Sequence, residues 1–200
     1  MKILVTAFEP FGGEKINPAQ EAAAQIGVRC RGAEIVKISV PVVFGEAIET
    51  VHAAMKAERP DVVLCIGQAG GRSAVTPERV AINVNDAGSP DNKGNQPVDE
   101  PIFEDGTAAY FSTLPIKRIV ERVRAAGVPA GVSNSAGTYV CNNLMYGVLY
   151  YIAKEFPNMR GGFVHVPYLH EQVISRMGVP SLSLEDTVKA LDAVIAAIAE

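Results

Sequence analysis

Cys141 is the residue of this chain best placed to act as a nucleophile. It follows an apolar run at 128–133 and a stretch of small residues, and a helical pattern begins at about residue 141. At the N-terminus of a helix, unpaired N–H groups and the helix dipole favour a thiolate and can hold an oxyanion. The alternative is a buried structural cysteine, which is a common fate of a free thiol. Cys141 is therefore a candidate nucleophile that needs a base beside it.

Histidine is the base that a thiol nucleophile usually requires, because its pKa lies near neutrality. His52 falls inside an amphipathic helical pattern and is expected at the surface or half-buried. His165 falls near the carboxyl end of an apolar run, where α/β folds place their active sites. His170, just past that run, is its rival, and a core histidine bonded to the backbone is the other interpretation of His165.

Glu78 is the candidate for the third group, which would orient the imidazole and stabilise its charged form. Residues 76–85 alternate, and this pattern puts Glu78 on the same strand face as Val80, Ile82 and Val84. A carboxylate on an apolar face needs a buried partner. The alternative is a glutamate at a strand end that turns to solvent.

The other two cysteines are not candidates for catalysis. Cys65 lies in the apolar run 62–66 and is expected to be an inert core residue. Cys30 lies between Arg29 and Arg31 in a probable loop, and we expect it to be a more acidic surface thiol. Three widely spaced cysteines argue against a disulfide framework and against a CxxC metal or redox site, so no structural metal is predicted.

A glycine-rich segment, Gly67-Gln-Ala-Gly-Gly-Arg72, directly follows the apolar run that ends at Ile66. Glycines at such a position allow the backbone to approach a ligand closely. The segment matches neither a P-loop nor the dinucleotide-binding pattern, and an ordinary strand-to-loop turn is the alternative.

Composition and length restrict the class of protein. Two hundred residues predict a single domain spanning 1–200. With 18 basic against 22 acidic residues and a net charge of −4, the chain lacks the basic surface of a nucleic-acid-binding protein. The apolar start of the chain is too short for a signal peptide or a membrane span, which predicts a cytoplasmic protein without a membrane partner.

Alternating strand and helix patterns position these candidates. Val- and Ile-rich runs predict buried strands near 2–7, 34–40, 61–66, 128–133 and 161–166. Amphipathic patterns and caps predict helices near 18–26, 45–58, 115–126, 141–155 and 183–199. This order predicts a three-layer α/β/α sandwich with a mixed, mainly parallel central sheet, whose ligands bind beyond the carboxyl ends of the strands.

Residues 85–106 form the only long stretch of turn-forming residues. A loop of this length is unusual in a compact domain, and such loops are commonly lids or binding loops. We therefore expect a functional loop or a hairpin here.

Taken together, these motifs resemble the pyroglutamyl peptidase I family of cysteine peptidases. The resemblance covers nearly the whole chain and rests on five ordered blocks: Thr6-Ala-Phe-Glu-Pro-Phe-Gly-Gly13 with Asn17-Pro18, Gly67 to Arg72 leading to Glu78-Arg-Val-Ala-Ile-Asn83, Gly94-Asn-Gln-Pro97, Ser133 to Asn142, and Gly161-Gly-Phe-Val-His-Val-Pro-Tyr168. It implies a Cys-His-Glu triad on Cys141, His165 and Glu78. It also implies hydrolysis of the bond after an N-terminal pyroglutamate in peptides, without a cofactor, by a homotetramer or other homo-oligomer.

The resemblance also implies a substrate pocket. Pyroglutamate is a neutral lactam, so its pocket should offer apolar walls and a few hydrogen-bonding groups rather than an acidic anchor. By motif, Phe8 and Phe11 line this pocket, and Asn17 and Gln68 help to position the ring and the loop. One departure is Tyr139, a further substrate-binding candidate at the pocket wall, which stands where the family usually has phenylalanine and whose added hydroxyl needs a partner. Without the resemblance, Phe8 and Phe11 could equally be core residues and Asn17 a plain helix cap.

The resemblance leaves the oxyanion partners partly open. The backbone N–H of Cys141 is expected to donate a hydrogen bond to the oxyanion. Either Arg72 or Arg79 could assist it, and the sequence does not choose between these two arginines.

Two other classes of function are considered. A nucleoside-phosphorylase-like enzyme on a similar sandwich would use the glycine-rich segment and Arg72 for phosphate and would not need Cys141. A non-catalytic interaction module could retain a peptidase fold; fast alkylation of Cys141 near neutral pH would argue against it.

Overall fold

The computed structural model describes all 200 residues and contains ten strands and six helices. The strands are β1 (Lys2–Phe8), β2 (Arg29–Cys30), β3 (Ala33–Val40), β4 (Val62–Gln68), β5 (Thr76–Pro77), β6 (Val80–Ile82), β7 (Ala109–Phe111), β8 (Arg160–Val166), β9 (Tyr168–Leu169) and β10 (Ser181–Leu182). The helices are α1 (Pro18–Gln25), α2 (Glu46–Glu58), α3 (Ile116–Ala125), α4 (Val140–Glu155), α5 (His170–Val173) and α6 (Leu184–Ala199).

The central sheet has six strands in the order β2-β3-β1-β4-β8-β5. Its four long strands, β3, β1, β4 and β8, are parallel, and only the two-residue edge strands β2 and β5 run antiparallel to their neighbours. Strand β4 is buried over its whole length, as expected for a parallel strand covered on both faces. Because all four long strands point the same way, their carboxyl ends meet at one edge of the sheet.

Helices cover both faces of this sheet and define two apolar cores. The first core packs α1, α3 and α6 against one face, and the second packs α2 and α4 against the other. The predicted α/β sandwich with a mixed, mainly parallel sheet is confirmed.

The helices begin where the sequence supplies caps. The Asn17 side chain accepts a hydrogen bond from the Ala19 N–H and precedes Pro18, and the Ser183 hydroxyl accepts one from the Asp186 N–H. All five predicted helices are present with ends within about two residues of those expected. None of these helices combines the length and the apolar character needed to cross a membrane.

The strand predicted at 128–133 is wrong. This segment runs beside residues 75–79 and makes only isolated bridges, Ala130 with Val75 and Ser133 with Glu78. Pro129 lacks an N–H donor, and the ladder is sparse on this side of β5. The run is apolar because it packs on the first core, not because it is a sheet strand.

Residues 86–106 contain no helix or strand, as expected for the predicted loop. A backbone bridge between Asn85 and Glu100 closes its base. Asp91 organises its centre, because its carboxylate accepts hydrogen bonds from the N–H groups of Phe44, Lys93 and Asn95 and from the Asn95 amide. The loop is therefore held in a defined shape by one buried carboxylate.

Candidate active site

Cys141 is the second residue of α4, and its sulfur lies over the carboxyl end of β4. An ideal Cβ built on Gly67 would lie 3.3 Å from Cys141 Sγ and 2.7 Å from the Phe163 ring, so Gly67 leaves the space that the thiol occupies. Gly67 pairs with His165 in the β4–β8 register. Paired residues on neighbouring parallel strands, which lie about 4.8 Å apart, point to the same face, so the thiol and the imidazole are neighbours.

Glu78 holds the imidazole from the other side. Its Oε1 lies 2.7 Å from His165 Nδ1, and both side chains are buried, with exposed fractions of 0% and 4%. The opposite ring nitrogen, Nε2, has no hydrogen-bond partner in the protein. With Nδ1 bonded to the carboxylate, neutral His165 carries its proton on Nδ1 and presents Nε2 as an acceptor.

Glu78 is buried for a different reason from the one expected. The alternation from 76 to 85 does not form one strand, because the chain divides into β5 and β6 on either side of Glu78 and Arg79. Val80 and Ile82 remain partly exposed, while Ala81 is fully buried. Glu78 is enclosed because it adjoins the sheet edge, where its N–H donates to the Phe163 carbonyl.

Arg72 shares the carboxylate with His165. Its Nη1 lies 2.6 Å from Glu78 Oε1 and 2.6 Å from Thr76 Oγ1, and its Nη2 donates to the Ser135 carbonyl at 3.3 Å. Arg79, the other arginine considered, bonds Asn134 at the surface through Nε. The sequence did not predict the Arg72–Glu78 pair; the rule that a buried carboxylate needs a cationic partner was the available signal.

The electrostatics keep both the thiol and the imidazole neutral at rest. Burial raises the pKa of the Cys141 thiol to about 12, and the Glu78 carboxylate adds to the rise. Burial lowers the pKa of His165 below its usual 6.5, because the effect of Glu78, which opposes it, is smaller. Burial by itself would raise the pKa of Glu78, but its interactions, led by the hydrogen bond from His165, together outweigh burial and leave the pKa of that carboxyl below its ordinary value.

The helix N-terminus favours a thiolate, but burial of the sulfur opposes it. Loss of solvation around the sulfur outweighs the stabilisation from the helix terminus and from Arg72. A thiol with a raised pKa can act as a nucleophile only with a base beside it that accepts its proton.

The two other cysteines lie away from this arrangement. Cys65 is buried in β4, and burial raises the pKa of its thiol to about 12. Cys30 lies in β2, 3.5 Å from Asp192 Oδ1. Burial and this carboxylate raise the pKa of the Cys30 thiol to about 11, so the prediction of a more acidic thiol is wrong.

The two other histidines have separate partners. His52 stacks on Tyr151 with ring centroids 3.5 Å apart and bonds Glu155. His170 is the first residue of α5 and bonds the Ser181 hydroxyl. His165 is the histidine that Glu78 holds.

Aromatic rings surround the approach to Cys141. Tyr139 caps the start of α4, and its ring lies 6.4 Å from that of Phe11 and 5.4 Å, edge to face, from that of Phe44. Its hydroxyl donates to the Pro90 carbonyl at 3.0 Å, which ties the 85–106 loop to the helix that carries Cys141. Phe8 lies deeper, 2% exposed, against Phe163. The sequence singled out Tyr139, Phe11 and Phe8 but not Phe44.

The two amides expected near the pocket act within the protein. Asn17 Nδ2 donates to the Glu9 carbonyl, which fixes the chain just before Phe11. Gln68 Oε1 accepts a hydrogen bond from the Gln172 side chain, which joins the end of β4 to α5. Both residues are buried.

No group of three or more histidine, cysteine, aspartate or glutamate side chains is arranged to hold a metal ion.

A cysteine at a helix start, beside a buried histidine that a glutamate orients, defines a hydrolase of the cysteine peptidase class on an α/β sandwich. The family model of pyroglutamyl peptidases matches residues 1–200. The chain therefore belongs to the pyroglutamyl peptidase family, a family of cysteine peptidases, and the resemblance seen in its motifs is confirmed.

Individual relatives agree with this assignment. The chain is 56% identical over 200 residues to the pyrrolidone-carboxylate peptidase of Lactobacillus johnsonii, covering 100% of this chain and 93% of that protein. It is 56% identical over 198 residues to that of Thermosipho africanus, covering 99% and 97%. Among solved structures, pyroglutamyl peptidase I from Bacillus amyloliquefaciens superposes with a TM-score of 0.95 at 49% identity, covering 99% of this chain and 96% of that one. The E192D mutant of the Pyrococcus furiosus pyrrolidone carboxyl peptidase superposes with a TM-score of 0.95 at 43% identity, covering 100% and 98%.

Proposed function

We propose that this protein hydrolyses the amide bond after an N-terminal pyroglutamyl residue of peptides, with Cys141 as nucleophile, His165 as acid and base, and Glu78 as the group that orients His165. The observation that supports the proposal most is the register of Gly67 with His165: the Cys141 sulfur, which lies over Gly67, is on the same sheet face as an imidazole whose Nδ1 lies 2.7 Å from Glu78. The full-length relatives named pyrrolidone-carboxylate peptidase support the choice of substrate. The phosphorylase-like and non-catalytic alternatives have no comparable support.

In the first half of the reaction, His165 Nε2 accepts the proton of the Cys141 thiol as the sulfur attacks the pyroglutamyl carbonyl carbon. The carbonyl oxygen becomes an oxyanion, and the N–H of Cys141, at the open N-terminus of α4, is the proposed donor to it. The charged imidazole then gives its proton to the leaving amine, the C–N bond breaks, and a thioester remains on Cys141.

In the second half, a water molecule enters in place of the released amine. His165 Nε2 takes one proton of this water as its oxygen attacks the thioester carbon. Collapse of the second tetrahedral intermediate breaks the C–S bond, and the proton on His165 returns to the sulfur. The products are free pyroglutamate and the Cys141 thiol, so the cycle needs no cofactor.

The proposed pocket uses the aromatic rings beside Cys141. Phe11 and Tyr139 form the apolar walls for the lactam ring. Phe8 lies deeper and packs on Phe163, whose ring centroid is 4.6 Å from that of His165. Asn17 and Gln68 act by fixing the backbone around the pocket, through the Glu9 carbonyl and the Gln172 side chain respectively. A lactam has no cationic amine, so a pocket without an acidic anchor suits it.

The test is the release of a fluorophore from a pyroglutamyl amide under reducing conditions, with a prolyl amide as the control substrate. We expect pyroglutamyl-selective release that Cys141→Ser and His165→Ala nearly abolish, because each removes a group that exchanges a proton or a bond. Glu78→Gln should reduce kcat/KM less, since the amide oxygen can still accept from His165 Nδ1. No release from folded, reduced protein would reject the proposal, and equal loss in all three variants would reject this ranking.

Three expectations from the sequence remain predictions. They are a single peptidase domain over 1–200, a cytoplasmic location, and assembly into a homotetramer or another homo-oligomer. Light scattering on the purified protein would measure the last of these, and a monomer at all concentrations would contradict it.

A further inference from the structure

We propose that Arg72 is a positioning residue that keeps the Glu78–His165 pair able to accept the thiol proton at neutral pH. This inference rests on the proposed function, since it concerns the base of that reaction. It assigns Arg72 neither to the oxyanion nor to a phosphate, which are the two roles that the sequence left open for this side chain.

The geometry places the guanidinium and the imidazole on the same carboxylate oxygen. Glu78 Oε1 lies 2.6 Å from Arg72 Nη1 and 2.7 Å from His165 Nδ1, while Glu78 Oε2 is buried without a partner. Glu78 Oε1 therefore makes both contacts, so a change in its contact with Arg72 also changes its contact with His165.

The position of the guanidinium is fixed by two further bonds. Arg72 Nη1 also lies 2.6 Å from the hydroxyl of Thr76, the residue that pairs with His165 across β5 and β8. Arg72 Nη2 donates to the Ser135 carbonyl, in the turn that leads to Cys141. The guanidinium is thus held by β5, which pairs with the strand that carries His165, and by the turn that precedes Cys141.

Charge balance explains why the pair needs this cation. A fully buried carboxylate beside a neutral imidazole carries one net negative charge in a medium of low dielectric constant, and such a pair tends to bind a proton. Whether that proton sits on the carboxylate or on the imidazole, the pair can no longer take the thiol proton as required. The guanidinium neutralises the charge, so the pair stays unprotonated.

The other ionisable groups near the pair do not supply this charge. Cys141 from α4 and Cys65 from β4 are thiols, and burial raises the pKa of each to about 12. The side chain of Arg79, although adjacent to Glu78 in the chain, bonds Asn134 at the surface. Burial lowers the pKa of His165, Glu78 opposes this, and Arg72 adds to the lowering. Arg72 is the cation that acts on the pair.

The alternatives to this role predict different pH behaviour. If Arg72 only tied the 133–138 turn to the strand, its loss would reduce kcat/KM by the same factor at every pH. If Arg72 stabilised the oxyanion, its loss would reduce kcat without moving the pH profile. A role in setting the protonation of the base shifts the acid limb of the kcat/KM profile to higher pH.

The experiment compares the pH profiles of kcat/KM for wild type, Arg72→Met, Arg72→Gln and Arg72→Lys, with Arg79→Met as the matched control. We expect the acid limb of the two neutral variants to move up by about one pH unit, which is about a tenfold loss on that limb. The loss should recover at alkaline pH. Arg72→Lys, which keeps the charge, should shift less, and Arg79→Met should not shift.

A second readout follows the base without substrate. The rate of Cys141 alkylation against pH, measured in a Cys30→Ser background because Cys30 is also partly exposed while Cys65 is buried, reports removal of the thiol proton. It should show the same displacement in Arg72→Met. Chemical rescue of kcat/KM at neutral pH by added guanidinium at non-denaturing concentration is a third expected result, because Arg72 is partly exposed, at 31%.

The outcomes separate this inference from the proposed function. Activity in Cys141→Ser or His165→Ala would reject the proposed mechanism and the inference together. If those variants are inactive and the Arg72 variants lose activity equally at every pH, only the inference is rejected. Failure of both neutral variants to fold would also overturn it, because Arg72 would then be a structural requirement.

Discussion

Gly67 shows at the scale of one residue why the glycine-rich segment follows β4. The sequence suggested that its glycines admit a ligand, but at Gly67 the neighbouring group is the protein's own Cys141 thiol. A Cβ at this position would meet the Phe163 ring at 2.7 Å and Cys141 Sγ at 3.3 Å. The missing side chain therefore leaves room for both the Phe163 ring and the Cys141 thiol.

We accordingly expect Gly67→Ala to reduce kcat/KM by about tenfold or more while the protein stays folded, because a displacement of the nucleophile by a fraction of an ångström disturbs its reacting geometry. Steady-state kinetics and the thermal midpoint of both proteins measure this. Gly131→Ala is the matched control, since a Cβ there meets nothing within 4 Å. Full activity in Gly67→Ala would show that the ring and the thiol can move apart without consequence.

The residue scale also marks a limit of sequence reasoning. Cys141, His165 and Glu78 became candidates through residue type and position, each with a structural alternative, and the family resemblance then singled out the three together. The Arg72–Glu78 contact could not be predicted, because the six-residue separation crosses irregular backbone in which side-chain direction has no fixed period. The burial of Glu78 was expected from an alternation that the structure does not have.

At the scale of elements, the start of α4 is connected both to β6 and to the 85–106 loop. The Asn142 side chain bonds the N–H and carbonyl of Ile82 and the carbonyl of Val84, so the helix is fixed to β6. Tyr139 joins the same helix start to the 85–106 loop through Pro90. Cys141 is therefore held in place by the contacts of the residues two before it and one after it, Tyr139 and Asn142.

Elements with local signals were the ones that could be predicted. The helices carry caps and amphipathic patterns, and the long strands carry continuous apolar runs, so their existence followed from the sequence. The run 128–133 has the same composition as the strands, but its pairing partner is short and irregular. Whether an apolar run forms a sheet strand depends on the segment that lies beside it in space, and a local sequence pattern does not identify that segment.

The Tyr139 hydroxyl gives a prediction at this scale. Tyr139→Phe keeps the ring against Phe11 and Phe44 but removes the bond to the Pro90 carbonyl, whose net worth is about 1 kcal/mol. We expect faster hydrogen exchange in residues 88–92 and a KM for the pyroglutamyl amide that rises a few-fold, with kcat nearly unchanged.

Tyr151→Phe is the control for that substitution, because the Tyr151 hydroxyl makes no hydrogen bond within the protein. A change in kcat with unaltered exchange in the loop would mean that the hydroxyl acts on the nucleophile rather than on the loop.

At the scale of the whole molecule, buried polarity is concentrated at one edge. Ten polar or charged residues are buried, and all except Thr6 and Thr187 lie at or beyond the carboxyl ends of strands, in the 85–106 loop, or in the first turn of α4: Asn17, Gln68, Glu78, Asp91, Asn142, Asn143, His165 and Gln172. Burying such groups costs free energy unless they are paired. The rest of the interior is almost entirely apolar. The free-energy cost of burying polar groups is therefore concentrated around the candidate site.

This distribution links stability to pH. The folded protein holds His165 neutral with a pKa below its ordinary 6.5, so below that pH the unfolded chain binds a proton that the folded protein does not. Burial raises the pKa of Asp91, but its hydrogen bonds, led by that of Asn95, outweigh this and leave it below its ordinary 3.8. Glu78 likewise lies below its ordinary 4.5. All three groups therefore destabilise the folded state as the pH falls.

We expect the free energy of unfolding to decrease as the pH falls below 6.5, by at most about 1.4 kcal/mol per pH unit while one extra proton is bound by the unfolded chain, and more steeply below 4.5. Urea unfolding at a series of pH values measures this slope. In Arg72→Met the slope just below 6.5 should shrink, because the folded pair would then bind the proton too. A stability that rises on acidification would mean that His165 is charged in the folded protein, and a neutral base at rest would no longer describe this site.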